Sequence, residues 1–307
     1  MKALNLVFMG SPDFAVPSLE KLHQSPHHIS AVVSNPDKRR GRRSKPEPTD
    51  VKRKAIELGL PTIDVEDLHS KTFSEKLAGL KPDLLVIVAF RILPSSILEI
   101  PNIGSINLHA SLLPKYRGAA PIHWAVINGD KETGCTIFYL DEKVDTGKII
   151  IQEKTKIGPM DTTGDLYERL KYSGAELLAE SVNLIAEGKA RPVEQNHEEA
   201  TPAPKLFRDN TKIDFSQSAR QVHNFIRGLN PFPVAWCRYD DEKLNIYSSA
   251  PKPEKDLSTG KLKFEENKLF AGCGEGAIEI KKLQLPGTKK MSGREFANGY
   301  SLEKTLR

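Results

Sequence analysis

Asn107 and His109 lie one residue apart in the run Gly104-Ser105-Ile106-Asn107-Leu108-His109, and that spacing decides what the two side chains can do together. The run predicts a short strand, on which residues i and i+2 point to the same side of the sheet. They stand at its C-terminal end, where open α/β sheets bind ligands. Two hydrogen-bond donors side by side in a crevice match a developing oxyanion, and a protonated histidine adds charge. Alone, the pair equally fits the end of a surface strand. The loop that follows, Ser111-Leu112-Leu113-Pro114-Lys115-Tyr116-Arg117-Gly118-Ala119-Ala120-Pro121-Ile122, carries two prolines, a glycine and small residues, the make-up of a loop held in one shape. Further on, Asp145-Thr146-Gly147 after Asp141 reads either as a β-turn before a strand at Ile149 or as a carboxylate returned by a hairpin to the His109 crevice.

Other chemistry is poorly provided for. The turn Gly10-Ser11-Pro12-Asp13-Phe14 has one glycine where a dinucleotide fingerprint needs three, which argues against a dehydrogenase. His23 and His27 are four apart, but Pro26 breaks the helix that would face them together. His28, His69, His123, His197 and His223 have no ligand-spaced partners, so no metal is expected. Cys135, Cys237 and Cys273 lie far apart, without the spacing of a disulfide framework or a zinc ribbon.

The elements that must position these residues follow from apolar patterning. Residues 4–9 read as a buried strand ending at Gly10, residues 12–22 as a helix with Pro12 in its first turn, and residues 29–34 as a second strand. Thr49 or Asp50 can cap a helix that Gly59 stops. The continuous apolar run at 84–89 has the pattern of a central parallel strand covered on both faces. Strands at 104–109, 136–140 and 149–152 and a long helix at 163–187 complete a doubly wound, mostly parallel, Rossmann-like α/β sheet. Residues 190–206, rich in Pro, Glu and Ala without an apolar period, read as a linker between a domain at 1–189 and another at 207–307. In the second domain a helix at 216–229 precedes five short strands, the spacing of a small β-barrel of OB type.

Charge is unevenly spread over the 307 residues. Net charge is +5, and residues 205–307 alone hold 19 Lys/Arg against 13 Asp/Glu. The front part is nearly neutral apart from one basic segment, with Lys38, Arg39, Arg40, Arg42, Arg43 and Lys45, then Lys52, Arg53 and Lys54. A charge run is commonly a solvated loop, but a basic loop and a basic domain on one chain favour a polyanionic partner such as nucleic acid. The N-terminal apolar run is too short for a signal segment and no stretch approaches the ~20 residues needed to span a bilayer, so a cytoplasmic protein with no membrane association is expected.

The motif Asn107-x-His109-x-Ser111-Leu112-Leu113-Pro114, with Arg117-Gly118 and the later Asp145-Thr146-Gly147, resembles the signature of the folate-dependent formyltransferases. The opening Phe8-Met9-Gly10-Ser11-Pro12-Asp13-Phe14-Ala15, the complete Arg117-Gly118-Ala119-Ala120-Pro121-Ile122 and the C-terminal extension carry the similarity over essentially the whole chain. The resemblance implies 10-formyltetrahydrofolate as co-substrate and, as acceptor, the amino group of methionine carried on initiator tRNA, handled by a monomer. Asn107 and protonated His109 would stabilise the oxyanion, while Asp145 would keep His109 charged and take up the amine proton. Ser111, Leu112, Leu113 and Pro114 would shape the folate pocket together with Phe90, Ile92 and Asp141. Lys38, Arg39, Arg40, Arg42 and Arg43 would contact tRNA, as would the domain at 207–307. Two positions depart from the family pattern: Phe90 is followed by Arg91 instead of Gly, and the basic loop reads Gly41-Arg42-Arg43 instead of Gly-Arg-Gly. The competing expectations are a formyltransferase for a sugar amine or purine precursor, whose small substrate calls for no basic appendage, and a non-catalytic RNA-binding module, against which the Asn107, His109 and Asp145 set speaks.

Overall fold

The computed structural model describes residues 2–39 and 45–307. The chain forms two compact units that are each discontinuous in sequence. One comprises Met1–Pro121, Thr133–Thr155 and Tyr167–Pro202, the other Ile122–Glu132, Lys156–Leu166 and Ala203–Arg307.

The first unit is built on β1 (Asn5–Gly10), β2 (His28–Ser34), the two-residue β3 (Lys38–Arg39) and β4 (Pro46–Glu47), β5 (Thr62–Asp64), β6 (Leu84–Val88), β7 (Gly104–His109), β8 (Arg117–Gly118), β9 (Glu132–Tyr139) and β10 (Ile149–Lys156). Seven of these make one sheet in the order β10-β9-β7-β6-β1-β2-β5. β1 runs parallel to both β2 and β6, and β6 to β7, while β9 lies antiparallel to β7. The winding therefore reverses beside β1, which makes the carboxyl ends of β1, β6 and β7 the natural ligand crevice. All five residues of β6 are buried, as a strand covered on both faces requires. On one face Val7, Met9, Ala31, Val33, Leu85 and Ile87 pack in alternation with Phe73, Leu77 and Ile97.

The helices up to this point in the chain are α1 (Val16–His23), α2 (Asp50–Glu57), α3 (Lys71–Gly79), α4 (Ser95–Leu98), α5 (Pro121–Ile127) and α6 (Thr163–Ala186), of which α5 after Pro121 and the first turn of α6 fall in the second unit. Thr49 caps α2, its side chain accepting from Lys52 N. The helix expected at 12–22 is split, a 3-10 turn at Asp13–Ala15 preceding α1. β9 and β10 are longer than the sequence pattern indicated, because the second half of β10 is an edge strand of mostly exposed polar residues with no apolar alternation to read. The stretch expected as a linker is bonded to this unit: Val193 and Ile149 exchange backbone hydrogen bonds of 2.8 and 2.9 Å, and Thr201 O accepts from Arg117 N at 2.9 Å.

The last and longest part of the second unit starts within β11 (Pro202–Ala203) and continues through α7 (Ala219–Gly228), β12 (Ala235–Tyr239), β13 (Glu242–Lys252), β14 (Leu262–Glu265), β15 (Lys268–Gly272), β16 (Ala277–Gln284), β17 (Met291–Ser292) and α8 (Gly293–Gly299). Ser218 and Gln221 form a capping box at the start of α7, and Ser292 and Glu295 form another on α8. The strands make an antiparallel sheet in the order β12-β13-β16-β15-β14, with β17 beside β16. The chain end joins its two edges, Leu306 bridging Tyr239 of β12 and Thr305 bridging Lys261 next to β14. Val222, Ile226, Leu244, Ile246, Ile278, Ile280 and Phe296 are among its fully enclosed core residues.

Candidate active site

Asn107 occupies the register position of β7 flanked by Ile87 on β6 and Phe138 on β9, and two residues further His109 ends the strand. Asn107 faces a cavity of about 100 Å³ whose lining includes Phe90, Ile92, Leu140, Asp141, Val144 and Asp145. His109 is buried, 6% exposed, with the ring of Phe138 edge-on to its own at 6.5 Å.

The histidine is oriented from both sides. Its Nε2 lies 2.8 Å from the carbonyl oxygen of Tyr116, which can only accept, so Nε2 carries a proton. Nδ1 consequently faces Asp145, whose Oδ2 lies 3.7 Å away. That carboxylate also accepts from Gly118 N at 2.8 Å. Two loops thus hold the pair: the one through Tyr116 and Gly118, and the one through Asp145. Tyr116 and Asp145 both adopt left-handed backbone conformations, at φ 61° and 55°. Side chains rarely visit this region, so such residues stay there only when surrounding contacts insist.

The loop after β7 is pinned from beneath by Thr136 of β9. Its hydroxyl donates to Ser111 O at 2.6 Å and accepts from Leu113 N at 3.1 Å, while Gln152 of β10 donates to Leu113 O and to the same hydroxyl, each at 2.8 Å. Ser111 Oγ donates to Lys115 O at 2.6 Å. Phe90, Ile92 and Asp141 line the cavity together with Asn107 and Asp145. Ser111, Leu112, Leu113 and Pro114 are not among its lining residues. The reason is local: Ser111 and Leu113 are turned inward, buried by the Thr136 and Gln152 contacts. Arg91, the departure from the family pattern, donates to the carbonyls of Val65 and Glu66 at 2.5 and 2.8 Å and lies over the Phe90 ring at 5.3 Å. Asp141 Oδ1 accepts from Lys143 N and Thr146 Oγ1, which closes the hairpin loop that carries Asp145.

Of the basic segment, Lys38 and Arg39 are exposed on β3, and Arg40, Arg42 and Arg43 lie outside the described residues. The later cations are taken up by acidic neighbours: Lys52 pairs with Asp37 and Asp64 at 2.6 and 2.7 Å, Arg53 with Asp50, and Lys54 with Glu20 and Glu57. Asp13 of the opening motif ties the turn after β1 to α6. Burial opposes its charge, yet the Tyr167 hydroxyl at 2.5 Å and the Lys171 ammonium at 3.0 Å hold its carboxyl below the usual range. His27 is structural, Nδ1 accepting from Leu4 N and Nε2 facing Asn183 Oδ1. Among the described residues no cluster of His, Cys, Asp or Glu could hold a metal. The three cysteines are buried free thiols, Cys135 and Cys273 pushed up to about 12 by burial, which leaves them unreactive at neutral pH. No helix among the described residues is long and apolar enough to cross a membrane.

Sequence reasoning missed the residues that hold these loops: Thr136, Gln152, Gln195 and Thr201. The first two are polar positions inside strands; the others fall in a segment without an apolar period, and none carries a spacing signal.

A doubly wound sheet thus brings Asn107 and Asp145 to one cavity at the carboxyl end of β7, with His109 beside Asp145. The chain belongs to the formyl transferase family, whose catalytic domain matches residues 1–182 and whose C-terminal domain matches residues 205–301. It is a transferase of formyl groups. The methionyl-tRNA formyltransferase of Chlorobium phaeovibrioides is 44% identical over 98% of this chain and 96% of its own length. That of Porphyromonas gingivalis strain W83 is 41% identical over 99% and 98%. Among solved structures, an N-formyltransferase from Helicobacter canadensis, complexed with folinic acid and dTDP-3-aminofucose, superposes with a TM-score of 0.70 over 90% of this chain and 98% of its own; at 22% identity this likeness shows the fold.

Proposed function

We propose that this chain transfers the formyl group of 10-formyltetrahydrofolate to the amino group of methionine carried on initiator tRNA, in the cytoplasm. The observation that carries the chemistry is a cavity lined by Asn107 and Asp145, with His109 Nδ1 3.7 Å from the Asp145 carboxylate. The acceptor is supported by the near-full-length identity to relatives named for it.

The lining suits a flat fused ring: Phe90, Ile92, Leu140 and Val144 supply apolar walls, and the carboxylates of Asp141 and Asp145 can accept from ring N–H groups. Held there, the folate supplies the formyl amide that the amine attacks. Attack on a formyl carbon places negative charge on its oxygen, and Asn107 donates its side-chain N–H to that charge. Nε2 of His109 is committed to Tyr116 O, so Nδ1 is the nitrogen left to serve the reacting atoms. At 3.7 Å from Asp145 Oδ2 it lies beyond hydrogen-bond distance of that carboxylate. Asp145 accepts the proton that the attacking amine sheds, directly or through water; collapse of the intermediate then breaks the bond between the formyl carbon and the folate nitrogen, which leaves carrying that proton.

The second unit supports a polyanionic acceptor. Trp236 is flanked by Arg208 at 5.7 Å and Lys243 at 5.4 Å, and Lys290 lies over Tyr247 at 4.0 Å. Cations on aromatic rings are how proteins grip phosphates and bases of nucleic acid. The test is direct: incubate the protein with 10-formyltetrahydrofolate and charged initiator tRNA, with elongator methionyl-tRNA as control. Formylmethionine on the initiator alone is expected; no formylation of either tRNA would sink the proposal.

A further inference from the structure

Gln195 lies in the segment whose composition suggested only a linker, yet it is 5% exposed and every polar atom of its side chain is used. Its Oε1 accepts from Nε and an Nη of Arg117 at 3.2 and 2.6 Å. Its Nε2 donates to the carbonyls of Asp145 and Gly147 at 3.0 and 2.8 Å. The amide orientation is unambiguous, since a guanidinium can only donate and a carbonyl can only accept.

One side chain therefore joins the two loops that hold His109. The Arg117 loop supplies Tyr116 O to His109 Nε2 and Gly118 N to Asp145 Oδ2. The other loop carries Asp145 itself. The same segment supports both left-handed residues: Gln195 holds the carbonyl of Asp145, and Thr201 Oγ1 accepts from Tyr116 N at 2.9 Å. Its neighbour His197 takes the other bond of Arg117, Nδ1 accepting from Nη2 at 2.9 Å. Without the Gln195 bridge, the loop holding Asp145 keeps its bond from Gly118 N and its closure through Asp141 but loses the two bonds to the carbonyls of Asp145 and Gly147.

We propose that Gln195 is a positioning residue for formyl transfer, holding Asp145 at its working distance from His109. The inference rests on the assignment of His109 and Asp145 to the chemistry. Its test uses Gln195→Glu and Gln195→Leu in the full chain, beside Asp145→Asn. Glu keeps an acceptor for Arg117 but cannot donate to Asp145 O and Gly147 O; Leu loses both halves. Both variants are expected to lower kcat roughly 10- to 100-fold, the loss that follows when a reacting group shifts by about 1 Å. The KM for 10-formyltetrahydrofolate is expected to change less than kcat, because Asp145 is the one lining residue of the cavity whose backbone Gln195 holds, and Phe90, Ile92 and Leu140 keep their places. Gln195→Glu is expected to stay folded but to melt below the parent, since its bond to Arg117 survives while its second oxygen faces the carbonyls of Asp145 and Gly147. Parental kcat in Gln195→Glu beside an impaired Asp145→Asn overturns this inference alone. Parental kcat in Asp145→Asn overturns the assignment of the site, and this inference with it. Loss of folding in both Gln195 variants also overturns it, because Gln195 would then support the fold as a whole.

Discussion

His109 has each ring nitrogen facing a different loop, and that arrangement decides what its removal costs. Replacing it with Ala deletes the donor and also leaves Tyr116 O and Asp145 without their shared partner. Asn107→Ala deletes a donor alone. Each is expected to lower kcat by roughly 100-fold or more, as loss of an oxyanion donor does. Asp145→Asn should also lower kcat strongly, since an amide does not accept the amine proton. Steady-state kinetics with both substrates checks this, with tRNA affinity measured separately and expected to change little. Near-parental turnover in any of the three would show that the chemistry lies elsewhere.

On the scale of single elements, α7 makes a pH-dependent contribution to stability. His223 is 4% exposed, with Nδ1 at 3.0 Å from the Ser249 hydroxyl and Nε2 at 3.4 Å from the Pro159 carbonyl. Burial pushes it down from 6.5 to about 4, and the nearby charges of Arg227 and Lys281 act in the same direction. Between those values the unfolded chain binds a proton that the native state refuses, so stability present above pH 6.5 is lost as pH falls toward 4. The full shift corresponds to on the order of 3 kcal/mol. Replacing His223 with Gln, which keeps a polar group but cannot titrate, should flatten the fall in thermal midpoint between neutral and mildly acid pH. An acid loss as steep as the parent's would place the sensitivity in other groups.

For the molecule as a whole the governing quantity is charge. The excess of 19 Lys/Arg over 13 Asp/Glu in residues 205–307 sits on a unit where Arg208 and Lys243 share one indole. Lys243 is held below its usual range first by burial and then by the Arg208 charge, a repulsion that a bound phosphate would relieve. If this face and the basic loop both meet tRNA, binding should weaken steeply with salt, because each phosphate contact releases counterions. The double variants Arg208→Ala/Lys243→Ala and Arg42→Ala/Arg43→Ala should each raise the KM for charged tRNA. Each should also reduce the salt slope by roughly one unit or less per lost contact, with the folate KM unchanged. A loop variant matching the parent in both tRNA KM and salt slope would remove the loop from the interface, even with the formyl transfer intact.

Much of this protein could be read from local pattern. The apolar run of β6 announces a strand buried on both faces, the i, i+2 spacing places Asn107 and His109 together at the end of β7, and Thr49 caps α2 as its type and position indicate. These features are short-range, so nearest-neighbour chemistry is enough to find them. Local pattern leaves open whether the Asp145 carboxylate reaches His109, because that depends on the β9–β10 hairpin carrying it back to within 3.7 Å of the ring. Ser111 and Leu113 proved to be turned inward, since Thr136 and Gln152 on neighbouring strands claim their loop. Gln195 left no trace in composition or spacing: its partners, Arg117 and Asp145, lie 78 and 50 residues away in the chain. A polar side chain whose role is to join distant loops has no local periodicity to reveal it, and only the tertiary structure decides what it holds.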